Sequence, residues 1–148
     1  MKILGIDGQG GGIGSGIIQE LRRCGIENAE ILAVGTNVMA TSAMLRAGAD
    51  AGATGENPVI FNSRRADLIL GPIGIIMANA MMGEITPAMA AAVAASDGKK
   101  LLIPIAKCAR VVGVEPKPCL LYTSISKATR AMRSISGTEY FSVSKAAG

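Results

Sequence analysis

The chain has no histidine and no tryptophan, and aromatic residues make up only 3% of its 148 residues. Without histidine it can build neither a Ser-His nor a Cys-His catalytic pair. Its three cysteines show no C-x-x-C spacing, so we expect neither a disulfide framework nor a metal site. With so few aromatics, the core must consist of Ile, Leu, Val, Ala and Met.

Long apolar runs are also missing. The longest uncharged stretch, residues 68–83, is shorter than the roughly 20 residues that a membrane-spanning helix needs. Asp7 comes too early for a secretion signal, so we expect a cytoplasmic protein that does not bind membranes. The net charge of +4 lies mostly beyond Pro118, because residues 1–118 carry eleven Lys and Arg against ten Asp and Glu. This balance gives no indication of nucleic-acid binding.

Apolar segments alternate with helical patterns along residues 1–118. Strands are predicted at residues 3–6, 29–37, 66–71 and 100–105, with a fifth, antiparallel or edge strand at residues 110–114. We interpret residues 52–56 as a glycine-spaced loop. This alternation predicts an α/β fold, Rossmann-like and doubly wound, with a mostly parallel sheet of about five strands.

Capping residues place the helices between these strands. A helix is predicted at residues 38–45 from its apolar spacing. Asn57 before Pro58, and Thr86 before Pro87, each look like an N-cap followed by proline at the first helical position.

A glycine-rich turn follows the first strand. Five glycines fall within seven residues, and an amphipathic helix comes next. Such a turn brings backbone N–H groups and the positive end of a helix dipole close to a ligand, which suits a phosphate. The predicted binding residues of the turn are Asp7, Gly8, Gln9, Gly10, Gly11, Gly12, Ile13 and Gly14.

The spacing of these glycines narrows the possible ligands. The G-x-G-x-x-G pattern is not met, and a P-loop is disfavoured because the turn has no lysine. The spacing Gly8-x-x-x-Gly12-x-Gly14 is similar to the glycine turn of short-chain dehydrogenases, so an NAD or NADP-like dinucleotide is the expected cofactor. The alternative is that the glycines only let strand and helix pack tightly.

Further candidates lie where other strands end, because ligands of open α/β sheets bind at the carboxyl ends of the strands. Dinucleotide folds often place an acidic residue after the second strand to bind ribose, and this sequence has none there. Nothing therefore selects NAD over NADP. The predicted binding residues at these strand ends are Gly35, Thr36, Asn37, Gly71, Pro72 and Gly74.

No catalytic residue can be assigned. Asp7 could bind Mg²⁺, a substrate amine or a ribose hydroxyl, or act as a base, or it could accept backbone N–H bonds and hold the turn in shape. We interpret Glu56 and Glu84 as structural, because each precedes a predicted helix. Cys108 lies near Lys107 and Arg110, which could activate its thiol, but an inert, partly buried thiol is preferred.

Six sequence blocks carry a resemblance to a known family: residues 6–14, 35–37, 40–45, 52–57, 71–75 and 83–87. Through them, residues 1–118 resemble an uncharacterised family of short bacterial proteins, domain of unknown function 3842. The resemblance implies no established activity.

The composition changes after Pro118. Residues 119–124 are similar to the translated end of a transposon-based sequencing adapter, so we interpret residues 119–148 as a non-native or disordered tail. Tyr140 and Lys145 resemble the short-chain dehydrogenase Y-x-x-x-K segment, but four residues separate them instead of three. We do not transfer that chemistry.

Two functions follow from these features. In the first, residues 1–118 form a nucleotide- or dinucleotide-binding domain, with or without oxidoreductase activity. In the second, the chain is a non-catalytic sensor or dimeric interaction module for a phosphorylated metabolite. The candidate homodimer contacts are Met39, Met44, Met77, Met81 and Met82.

Overall fold

The computed structural model describes residues 1–26 and 28–104. Within them, five strands form one fully parallel sheet in the order β3-β2-β1-β4-β5. The strands are β1 Lys2–Asp7, β2 Glu30–Gly35, β3 Ala51–Thr54, β4 Leu68–Pro72 and β5 Lys99–Ile103. The helices are α1 Gly12–Arg23, α2 Val38–Arg46, α3 Glu56–Ser63 and α4 Pro87–Ala95, and a short 3₁₀ helix spans Ile73–Ile76. The predicted α/β class is confirmed.

Both faces of the sheet are covered, which explains the uninterrupted apolar character of its central strands. One buried cluster joins Ile3 and Leu70 to residues of α1 and α2, such as Leu21 and Met44. The cluster on the opposite face joins other strand residues to Val59 of α3 and to α4. Alternate residues of β1 therefore enter different cores, as the two-residue period of a strand requires.

The strand order places the point where the chain reverses direction beside β1. The chain runs outward from β1 through β2 to β3 and then crosses to β4 on the other side of β1. In open α/β sheets, ligands bind at the carboxyl ends of strands near such a reversal. The glycine-rich turn directly follows β1 and lies at this edge.

Two local predictions were wrong. Residues 52–56 are not simply a loop, because β3 pairs with β2 from Leu32 opposite Ala51 to Gly35 opposite Thr54. This strand is short, lies at the sheet edge and is made of small residues, so it has little of the composition that marks a strand. Helix α3 begins at Glu56 after Gly55, which has φ 106°. Pro58 thus lies in the first turn, where its missing N–H costs no hydrogen bond.

The start of α4 agrees with its sequence signal. The Thr86 hydroxyl accepts a hydrogen bond from the Met89 N–H at 3.1 Å, and Pro87 is the first helical residue. In the described part of the chain, no helix is both long and apolar enough to cross a membrane. The predicted strand at residues 110–114, Cys108 and the tail from residue 119 lie outside the described residues.

Candidate functional site

Three segments meet at the carboxyl ends of β1 and β2. They are the glycine-rich turn, the pair Thr36 and Asn37 after β2, and the loop of residues 77–86 that precedes α4. The Thr36 N–H donates to the Asp7 carbonyl at 3.0 Å, which holds the first two segments together. This meeting point unites two of the predicted groups of binding residues.

Asp7 fills the inside of the turn. Its side chain is almost fully buried, and its two carboxylate oxygens accept hydrogen bonds from the Gly8 N–H at 2.8 Å and the Gly14 N–H at 2.7 Å. Burial raises the pKa of Asp7 above its usual value, although these bonds and one from the Ile13 N–H act in the opposite direction. The nearby Glu84 charge raises this pKa further. Asp7 therefore holds the turn in shape, and the inner N–H groups are already occupied.

Three glycines of the turn are explained by close packing. A Cβ at Gly8 would lie 2.7 Å from a Glu84 oxygen, and one at Gly14 would lie 2.5 Å from the Met44 sulfur. Gly11 has φ 71°, and a Cβ there would lie 2.7 Å from the Ala40 Cα of α2. At these positions any side chain would push neighbouring atoms apart.

Gly10 and Gly12 differ from these three. A Cβ at either position would meet no atom within 4 Å, and neither residue has positive φ. Both residues are exposed, and no atom of residues 1–26 or 28–104 accepts a hydrogen bond from their N–H groups. Packing within the described chain thus gives no reason for glycine at these two positions.

Glu84 forms the other half of the site. Its Oε2 accepts hydrogen bonds from the Gln9 N–H at 2.8 Å, from the Asn37 side-chain amide at 3.1 Å and from the Thr36 hydroxyl. The Asn37 amide also donates to the Gln9 carbonyl at 3.0 Å, while its Oδ1 caps α2 by accepting from the Ala40 N–H. Burial acts to raise the pKa of Glu84, but the three hydrogen bonds outweigh it, so this pKa is lowered.

Sequence reasoning assigned Glu84 only a structural role. It did not predict that this carboxylate lies beside the end of β2, because Glu84 reaches Thr36 from 48 residues away in the chain. One sequence signal pointed in this direction. Glu84 stands just before the capped start of α4, on a loop that follows the carboxyl end of β4.

The loop that carries Glu84 has an unusual backbone. Asn79, Met81 and Met82 have φ values of 64°, 56° and 58°, and Gly83 follows with φ 89°. Left-handed conformations are unfavourable for residues such as methionine. Asn79 is exposed, and its N–H donates to the Ile85 carbonyl at 2.7 Å, so it is a turn residue.

Two of the remaining predicted residues, Gly35 and Gly71, are closely packed against neighbouring atoms. A Cβ at Gly71 would clash with the Ile6 carbonyl, and one at Gly35 would clash with Thr41. Pro72 is the last residue of β4, and Gly74 lies buried in the 3₁₀ helix, where its carbonyl accepts from the Met77 N–H.

The methionines proposed as dimer contacts fall into two groups. Met44 is fully buried in the core of this chain, so it cannot form an intermolecular contact. Met39 and Met82 are 71% and 91% exposed, and Met77 and Met81 are half-buried. Only the exposed pair remains available to a second molecule without rearrangement.

Residues 1–26 and 28–104 contain no group of three or more His, Cys, Asp or Glu side chains placed to hold a metal ion. A shallow pocket lined by Lys2, Glu30, Asn62 and Arg65 lies at the opposite, amino-terminal edge of the sheet. It shares no residue with the glycine-rich turn or with the cluster around Glu84. The candidate site at the carboxyl ends of the strands rests on the hydrogen bonds described above.

Two solved structures and one family profile are similar to this chain. A dodecameric FMN-dependent UbiX-like decarboxylase from Escherichia coli O157:H7 is 20% identical, with a TM-score of 0.45 over 88% of this chain and 75% of that one. The structure of AibC is 16% identical, with a TM-score of 0.44 over 95% of this chain and 40% of that one. No curated protein sequence matches significantly.

One family profile matches residues 2–136. This match extends past Pro118, and the predicted domain boundary there remains a prediction because those residues lie outside the described part. Since the match covers most of the sequence, the chain belongs to the family described as Domain of unknown function (DUF3842).

Proposed function

We propose that the chain binds a phosphate-bearing ligand, a nucleotide or dinucleotide, at the outer edge of its glycine-rich turn. The observation that carries this proposal is the pair Gly10 and Gly12, which have open space above them and N–H groups without an acceptor among the described residues. Gly12 is the first residue of the 12-residue helix α1, and Gly10 precedes its N-cap, Gly11. A helix N-terminus with free N–H groups is a favourable place for an anion.

The negative charge of Asp7 repels an anion at this edge, so the energy of the hydrogen bonds must be compared with the energy of this repulsion. A hydrogen bond to a charged group contributes about 1.5 to 3 kcal/mol, and two such bonds are available. Two like unit charges about 4 Å apart repel by about 1 kcal/mol in water and by about 4 kcal/mol near a protein surface, and the repulsion falls with distance. The donors therefore outweigh the repulsion, and the inner N–H groups already bound to Asp7 are not needed.

A thermal-shift screen of the full chain tests this proposal. The compounds are NAD, NADP, FMN, ATP and coenzyme A, where FMN is included because the UbiX-like neighbour is named as FMN-dependent. A ligand present at 100 times its dissociation constant adds about 2.7 kcal/mol of stability. We expect at least one nucleotide to raise the melting temperature.

The variant Gly12→Val locates the binding. Valine fits the open space without disturbing the fold but covers the N–H edge, so the ligand-induced shift should disappear. Gln19→Val, at an exposed position two turns further along α1, is the matched control and should keep the shift. A shift of wild-type size in Gly12→Val would contradict the proposal.

A second candidate function is a non-catalytic sensor that self-associates. It is favoured by three exposed apolar side chains beside the site, Val38, Met39 and Met82. Sedimentation velocity with and without ATP tests it. A homodimer would be lost in Met39→Glu, and a monomer under both conditions would exclude this candidate.

A further inference from the structure

We propose that the Gln9 N–H, the Thr36 hydroxyl and the Asn37 side-chain amide form a second anion subsite, which Glu84 occupies until the second phosphate of a diphosphate group displaces it. This inference rests on the proposed function. It specifies the ligand class, a diphosphate in place of a single phosphate.

The donors around Glu84 form the arrangement that an anion requires. A backbone N–H, a hydroxyl and an amide converge on one oxygen, Oε2. In the described part of the chain, no group donates to the other oxygen, Oε1. The lowered pKa of Glu84 means that a charged carboxylate fills this place at neutral pH. A phosphate oxygen accepts hydrogen bonds from the same kinds of donor.

The two subsites are adjacent. Gln9 donates to the Glu84 carboxylate, and the next residue, Gly10, has its N–H at the open edge of the turn. A ligand with two linked phosphates can therefore contact Gly10 and Gly12 with one group and the donors around Glu84 with the other. A single phosphate can use only one of these sets.

Glu84 is placed to leave. It is half-buried, and its neighbours Met82 and Gly83 are exposed, so its side chain can turn towards solvent while Ile85 stays buried in the core. Met81 and Met82 hold left-handed backbone conformations, which are unfavourable for their side chains. A backbone change at the exposed Met82 would relieve part of this cost and offset part of the loss of the Glu84 contacts.

Calorimetric titration of the full chain with inorganic pyrophosphate and with orthophosphate tests the subsite. Glu84→Ala removes the competing carboxylate. We expect this variant to bind pyrophosphate about tenfold more tightly than wild type, which corresponds to about 1.4 kcal/mol of binding free energy. Orthophosphate binding should change less. Glu84→Gln keeps a polar side chain of the same size and covers the case in which the alanine variant does not fold.

Two further variants separate the subsite from a general charge effect. Glu56→Ala removes an exposed carboxylate at the start of α3 and should leave pyrophosphate affinity unchanged. Thr36→Val removes one donor, and in the Glu84→Ala background it should abolish the gain. A gain that persists without the Thr36 hydroxyl would overturn the subsite.

The outcomes distinguish this inference from the proposed function. If pyrophosphate binding is lost in Gly12→Val but is not tightened in Glu84→Ala or Glu84→Gln, the subsite is wrong and the glycine edge stands. If pyrophosphate binds neither wild type nor the Glu84 variants, both are wrong.

Discussion

The glycine-rich turn contains two kinds of glycine. Gly8, Gly11 and Gly14 face protein atoms so closely that a Cβ would not fit, whereas Gly10 and Gly12 face open space. Gly11 and Gly14 let β1, α1 and α2 approach one another, and Gly8 leaves room for the side chains of Thr36, Met81 and Glu84. Gly10 and Gly12 leave backbone N–H groups uncovered. A run of glycines is therefore weak evidence for a ligand until the space beside each residue is known.

The largest expected effect on stability comes from adding a side chain at Gly11, one of the closely packed glycines. In Gly11→Ala, the alanine must adopt φ 71°, and its Cβ lies 2.7 Å from the Ala40 Cα. Left-handed strain and overpacking together should lower the free energy of unfolding by about 2 to 4 kcal/mol. Urea denaturation measures this, and a loss below about 0.5 kcal/mol, the range of an ordinary surface substitution, would contradict it.

The next largest effect is expected from loss of the hydrogen bonds by which Asp7 holds Gly8 and Gly14. Asp7→Asn keeps the shape but replaces one acceptor oxygen by an amide group, so either the Gly8 or the Gly14 N–H loses its partner. A buried N–H without an acceptor costs about 1 to 3 kcal/mol. Equilibrium unfolding at pH 7 should show this loss. An equally stable variant would mean that these bonds do not hold the turn.

The Glu84 carboxylate should make the free energy of unfolding depend on pH. The folded-state pKa of Glu84 is lowered, so its contribution is present above the unfolded value near 4.5 and is lost as pH falls through the folded value. Wild type should exceed Glu84→Gln by about 1 kcal/mol near neutral pH, as expected for its hydrogen bonds. This difference should shrink in acid. Denaturation between pH 7 and pH 3 with Glu56→Gln as control tests it, and a difference that grows in acid would contradict the assignment.

The smallest effect on stability is expected at Gly12, which faces open space. Gly12→Ala adds a methyl group into empty space at the first residue of α1. Its free energy of unfolding should stay within about 0.5 kcal/mol of wild type or rise slightly, because alanine restricts the unfolded chain more than glycine does. The same urea experiment as for Gly11→Ala checks it. A loss as large as that of Gly11→Ala would remove the distinction between the two sides.

The sequence predicted more of the fold than of the candidate site. Strong apolar runs predicted β1, β2, β4 and β5, whereas β3, with the sequence Ala-Gly-Ala-Thr, lacked the bulky residues that mark a strand. Spacing alone could not separate Gly11 from Gly12, since the difference arises from where α2 packs against the turn. The contact between Thr36 and Glu84 joins residues far apart in sequence, so no local pattern reveals it.

A titration followed by amide NMR tests most directly whether an anion binds at the outer edge of the turn, at Gly10 and Gly12. Pyrophosphate should move the backbone amide signals of Gly10 and Gly12 strongly. The signals of Gly8 and Gly14, whose N–H groups are bound to Asp7, should move much less. Unchanged Gly10 and Gly12 signals at saturating pyrophosphate, or equal shifts at all four glycines, would contradict the account.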